Sequence, residues 1–221
     1  MSNNREAAGG KGVIWIALGL LMIAAALALV SYNWYDDLRA EQSAWHIISG
    51  MEQTLEEESK TPVAVEASEE AALYQEPAWD PRMEMPVKTV DGVEIVGILR
   101  IPSLELELPV ISQWSYPSLQ TAPCRYSGSA YQNNLILCGH NYPAHFGNLK
   151  KLKEGDIITF TDVDGNLFTY EMTQRETLMP TAFEDMIGGD WDLTLFSCTV
   201  GGESRVTVRC MLSEQESGFI P

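Results

Sequence analysis

WDLTLFSCTVGGESRVTVRCML, residues 191–212, is the stretch that decides the fold. WDLTLFSC (191–198) and RVTVRCML (205–212) are short runs rich in β-branched and aromatic residues, and the loop between them holds Gly201 and Gly202. The pattern predicts two strands joined by a loop. Cys198 closes the first run and Arg205 opens the second. If the two strands pair, a thiol and a fixed cation face each other at a sheet end.

The same texture extends upstream to about Val90. NNLILCGHN (133–141) reads as a short buried strand ending in Gly139, with His140 just beyond it. DIITFTDVDGNLFTYEM (156–172) reads as two strands around Asp164-Gly165-Asn166, a strong hairpin signal. GVEIVGILRI (92–101) and LELELPVI (104–111) are further strands, the second alternating Leu with Glu before Pro109. At least seven short strands, with brief helical pieces near 144–152 and 181–187, predict a mainly β domain closed, or nearly closed, into a barrel.

Residues before Val90 read differently. TPVAVEASEEAALYQEPAWDPRMEMPVK (61–88) mixes Pro, Ala and Glu without a period and describes a linker. From Asp36 to Lys60 apolar residues recur at an approximate helical period among glutamates, which predicts a juxtamembrane helix rising as a stalk. VIWIALGLLMIAAALALV (Val13–Val30) carries no charge over 18 residues, near the lower limit for spanning a bilayer. Arg5 and Lys11 precede it and Asp36 and Asp37 follow, so the positive-inside bias places the N-terminus in the cytoplasm and the rest outside. The run passes into Tyr32, Asn33, Trp34 and Tyr35 instead of a small-residue cleavage site, which favours an uncleaved anchor over a signal peptide.

Fourteen Lys and Arg stand against 31 Asp and Glu, a formal net charge of -17 that argues against nucleic-acid partners and against adhesion to anionic lipid. Cys124, Cys138, Cys198 and Cys210 show no paired zinc-type spacing and are too sparse for a disulfide scaffold. Cys124, Cys138 and Cys210 read as small buried apolar residues. His140 and His145 lie close together but lack further ligands, and Asp162 and Asp164 are explained by their turn. Neither a metal nor another cofactor is expected.

Cys198, Arg205 and His140, each at a strand end, are the parts of an acyl-transfer site. The thiolate is the nucleophile, the guanidinium steadies an oxyanion and the imidazole moves the proton. Spacing alone does not bring the three together. GILRIPSLELELPV, LCGHNYPAHFGNLKKLKEGD and DLTLFSCTVGGESRVTVRC together resemble the signature blocks of sortases, the bacterial cell-surface cysteine transpeptidases, over about Gly92 to Leu212. The resemblance implies a closed β-barrel of about eight strands with short helices, preceded by an N-terminal transmembrane helix. It implies catalytic roles for His140, Cys198 and Arg205, and substrate contacts at Asn141 and Ser197. Ser197 stands where the family usually has Thr and keeps the hydroxyl. Arg205 is chosen over Arg209 because the family's arginine opens the strand after the cysteine loop; Arg209 is then structural or salt-bridged.

The activity implied is cleavage of a Leu-Pro-x-Thr-Gly-like signal on surface proteins between Thr and Gly. A thioester follows, then transfer to an amine of lipid II or peptidoglycan, or to a pilin lysine. The alternatives are a cysteine peptidase that ends with water and a non-catalytic module that docks sorting signals. The short span from Leu178 to Cys198 argues against the class B insertion, while Trp79-Asp80-Pro81-Arg82 keeps open a lid over the cysteine. The expected organisation is a cytoplasmic N-terminus at 1–12, a membrane anchor at 13–35, an extracellular stalk and acidic linker at 36–88, the catalytic domain at 89–214 and a tail at 215–221. His145 is expected at the rim or at a helix start.

Overall fold

The computed structural model describes residues 6–59, 83–199 and 201–213, with side chains in the first stretch described over 12–50. The linker motif Trp79 to Arg82 and the C-terminal tail lie outside the described residues. The chain divides into two units, Met1–Arg39 and Ala40–Pro221.

The first unit is helical, within α1 (Glu6–Ser59). By length and composition this helix could cross a membrane, with a mean hydropathy of 2.8 in its most apolar window and none of that window buried. The anchor and the juxtamembrane helix expected from sequence both fall within this helix, and no Pro interrupts the chain between Val30 and Ser59.

The described residues of the second unit form nine strands: β1 (Lys88–Val90), β2 (Val93–Ile101), β3 (Leu106–Ile111), β4 (Cys124–Ser127), β5 (Leu135–Gly139), β6 (Ile157–Asp162), β7 (Leu167–Leu178), β8 (Leu193–Cys198) and β9 (Arg205–Leu212). Helix α2 (Tyr116–Thr121) precedes β4, and α3 (Phe183–Ile187) lies between β7 and β8. The sheet order is β1-β2-β3-β4-β5-β8-β9-β7-β6, and an added β2–β6 pairing closes eight strands into a barrel with β1 as an outer hairpin arm. Gly97 sits at the closure, paired with Asp162, and a Cβ there would strike the Thr161 carbonyl and the Phe160 ring. Closure at this spacing therefore requires glycine.

The barrel interior is filled from alternate positions of β5 (Leu135 and Leu137), β6 (Ile158 and Phe160) and β8 (Leu193 and Leu195), and from Val96, Leu99 and Ile101 of β2. In β2 the residues from Ile95 to Leu99 are buried without alternation. The second face is covered from outside, since Ile47 packs with Val90, Ile95 and Ile98, while Ala44 joins the main core cluster. Residues 40–47 are thus a packed part of the barrel unit and not a free-standing stalk, burying apolar surface that a stalk would expose to water.

The β6–β7 turn is organised by Asp162. Its Oδ1 accepts the backbone N–H groups of Asp164 and Asn166, both at 2.9 Å, and its Oδ2 accepts the Tyr131 hydroxyl at 2.6 Å and the Asn166 amide at 2.8 Å.

Candidate active site

Gly139 ends β5 and allows Phe146 to pack directly on the strand end; a Cβ there would lie 2.6 Å from that ring. The loop then folds back on itself, with the Phe146 N–H donating to the His140 carbonyl at 3.1 Å and those of His145 and Gly147 to the Tyr142 carbonyl, both at 2.9 Å. His140 stacks on Tyr142 with ring centroids 3.9 Å apart and planes 10° apart. Its Nδ1 is buried and has no hydrogen-bond partner among the described residues. The imidazole is therefore aimed by the stack and the loop backbone.

Strand register brings the three candidate residues side by side. β5 runs parallel to β8 with Gly139 opposite Ser197, so His140, one residue on, follows Cys198 across the ladder. β8 runs antiparallel to β9 with Cys198 directly opposite Arg205. Neighbouring strands lie about 4.8 Å apart and in-register residues share a face, so thiol and guanidinium stand side by side, and His140 leaves the end of β5 next to them. Cys198 is exposed at the strand end. Arg205 Nη1 donates to the carbonyls of Gly202 and Ser204, both at 3.3 Å, and among the described residues its Nε and Nη2 make no protein hydrogen bond. The loop joining Cys198 to Arg205 is tied by Thr199 and Ser204 through the Thr199 N–H to the Ser204 carbonyl (2.9 Å) and the Ser204 N–H to Thr199 Oγ1 (3.1 Å).

A groove of about 430 Å³ runs up to Cys198 and Arg205. Cys198 and Arg205 line it together with Trp114, Tyr126 and Phe196 and with the β7–β8 connection through Met179, Ala182, Phe183 and Met186. The aromatics interlock, Tyr126 meeting Phe196 edge-on at 5.3 Å and Trp114 at 5.9 Å. His140 and Asn141 do not line the groove. Ser197 is 2% exposed and on the interior face of β8 with Leu193 and Leu195, so the substrate contact expected of its side chain is not available in this arrangement. His145 is wholly buried beneath Tyr142 instead of sitting at the rim.

Arg209, on the same face of β9 as Arg205, is 2% exposed and pairs with Glu176 at 2.7 Å. The other three cysteines are free thiols and buried, and burial pushes each of Cys124, Cys138 and Cys210 up to about 12. Among the described residues no cluster of His, Cys, Asp and Glu could hold a metal. Sequence reading overlooked the groove aromatics, although Phe196 stands two residues before Cys198 and by strand alternation shares its face. Trp114 and Tyr126 gave no signal, because their segment has no period.

The sortase-domain family model matches residues 99–213, just over half of the chain. The chain belongs to the sortase family, whose members are cysteine transpeptidases. Sortase A of Bacillus anthracis is 24% identical over 194 residues, covering 85% of this chain and 88% of that protein. Sortase A from Corynebacterium diphtheriae, in a lid mutant, superposes with a TM-score of 0.50 at 21% identity, over 62% of this chain and 75% of that one. Sortase C of Clostridium perfringens, solved with the C-terminal cell wall sorting motif, gives a TM-score of 0.48 at 23% identity, over 54% and 71%.

Proposed function

We propose that Cys198 is the nucleophile, His140 the proton carrier and Arg205 the oxyanion-stabilising cation of this transpeptidase. The observation that supports the reading is the double register, Gly139 opposite Ser197 and Cys198 opposite Arg205, with Cys198 and Arg205 on the groove and His140 following Gly139. The donor is a Leu-Pro-x-Thr-Gly-like signal lying in that groove. The Cys198 sulfur attacks the carbonyl carbon of the signal's Thr, and negative charge gathers on the carbonyl oxygen, where the free N–H groups of Arg205 stabilise it. The C–N bond to glycine then breaks and His140 gives its proton to the departing amine, leaving a thioester on Cys198. An incoming amine attacks the thioester and gives a proton to His140, and the sulfur leaves as the thiolate that began the cycle, so one amide is exchanged for another without an external energy source. The acceptor is an amine of lipid II or peptidoglycan, or a pilin lysine. The apolar part of α1 anchors the enzyme in the membrane, with the N-terminus cytoplasmic and the barrel outside.

The test uses the full-length protein in detergent, with Leu-Pro-x-Thr-Gly-like peptides and a panel of amines followed by mass spectrometry. Expected are amide products with the added amine and their loss, by more than about a thousandfold in rate, in Cys198→Ala. Equal cleavage by the variant would remove Cys198 from the role, and release of acid alone whatever the amine would make the enzyme a peptidase.

A further inference from the structure

We propose that Arg209 is a positioning residue for donor binding: its buried guanidinium fixes α3 on the outer face of the barrel, and so shapes the groove wall beside Cys198. The inference rests on the reading of the groove as the donor site.

Helix α3 has five residues and no side-chain N-cap, too little to hold a helix by itself. Yet it and the residue before it supply Ala182, Phe183 and Met186 to the groove. What holds it is Arg209. Nη1 donates to the Met186 carbonyl and to Thr194 Oγ1, both at 2.9 Å, Nη2 donates to the Asp185 carbonyl at 2.5 Å, and Nε donates to Glu176 Oε1 at 2.7 Å. One planar fork thus ties β7, β8 and β9 to two backbone carbonyls of α3, the kind of helix-end group that otherwise lacks a partner. Thr207, between Arg205 and Arg209 on the same face, adds a contact from its hydroxyl to the Met186 sulfur at 3.9 Å. The outer face of β9 therefore carries, in sequence, the cation beside Cys198, the seat of Met186 and the clamp. The depth of the wall is referred to the same strand as the candidate chemistry.

A lysine would supply charge and three donors from a single point and could not span the four acceptors. In the full-length protein in detergent, Arg209→Lys is expected to raise the KM for a Leu-Pro-x-Thr-Gly-like peptide about tenfold while kcat changes less than about threefold. Alkylation of Cys198 by iodoacetamide, a probe too small to need the wall, is expected to keep its rate. A folded Arg209→Lys with unchanged KM would overturn the proposal, as would parallel losses of kcat and alkylation rate. If that variant does not fold, Glu176→Gln carries the test, since Glu176 is partly exposed and its loss leaves the fork unbalanced. A KM increase of about threefold supports the clamp and an unchanged KM overturns it. Cys198→Ala run alongside separates the two readings. Cleavage surviving in it sinks the site, whereas cleavage lost there with normal KM in the Arg209 and Glu176 variants sinks the clamp alone.

Discussion

Arg205 and Arg209 stand four residues apart on one face of one strand, and their surroundings could hardly differ more. Arg205 is partly exposed at the end of the β8–β9 pair, opposite Cys198, and among the described residues it donates only to two loop carbonyls. Arg209 lies opposite Thr194, is 2% exposed and uses Nε, Nη1 and Nη2 on protein acceptors. The same side chain is available to a substrate at one end of the hairpin and consumed by the fold at the other. The difference comes from α3, which covers β9 over Thr207 and Arg209 and stops short of Arg205.

The comparison breaks first, and most visibly, if the two arginines are exchanged in their effects. Arg205→Ala is expected to lower kcat/KM by about 10²- to 10³-fold, the usual loss for a preorganised oxyanion donor, while Tm stays within about 2 °C. Arg209→Met keeps the approximate volume but leaves the buried Met186 carbonyl and Thr194 hydroxyl without their donor, which costs about 1–3 kcal/mol for each and lowers Tm by more than about 5 °C. Peptide-cleavage kinetics and thermal unfolding on the same preparations check both. A large Tm loss at Arg205, or none at Arg209, would erase the distinction.

A smaller effect sharpens the contrast from the histidine side. Gly139→Ala places a methyl group 2.6 Å from the Phe146 ring, and the loop carrying His140 and Phe146 must shift by roughly 1 Å to restore an ordinary carbon–carbon contact. Overpacking of this kind costs about 1–3 kcal/mol. Because His140 is the next residue, kcat is expected to fall about tenfold, more than the stability loss accounts for. Adding Phe146→Leu should restore part of kcat. Steady-state kinetics of the single and double variants decide it, and an unchanged kcat in Gly139→Ala would mean that the stack on Tyr142 alone aims the imidazole.

Much of this arrangement was legible before any coordinates. β9 begins and ends where RVTVRCML does, and the β6–β7 hairpin sits on its Asp-Gly turn, because alternation and turn chemistry are local properties. β4 and α2 were missed because Ser112 to Asn134 has neither helical nor strand period and is held by contacts made elsewhere, such as Arg125 Nε to the Ser112 carbonyl at 3.0 Å. The parallel pairing of β5 with β8 is the step that brings the chain at His140 next to the end of β8, and it joins segments more than 50 residues apart. No local pattern encodes such a pairing. Arg205 and Arg209 read alike by strand alternation, since what separates them is the helix laid over one of them.

The cysteines repeat the contrast at the smallest scale. Cys198 is exposed, whereas the thiols of Cys124, Cys138 and Cys210 are pushed by burial from 9.0 up to about 12. Iodoacetamide at pH 8 should add once to the folded protein, at Cys198, and four times after denaturation, read by mass spectrometry. The sign of the pH effect follows from the raised values. Unfolded thiols lose protons above about pH 9 while the folded ones hold them, so the folded state binds more protons and stability falls as pH rises from there toward 12. Tyr170, whose phenol burial also raises, acts in the same direction at still higher pH. The urea midpoint is expected to drop between pH 8 and pH 10.5, and to drop less in Cys210→Ala once that variant's own loss at pH 8 is subtracted. An equal drop in both proteins would show that Cys210 ionises as easily folded as unfolded, and would leave Cys198 distinguished from it by access alone.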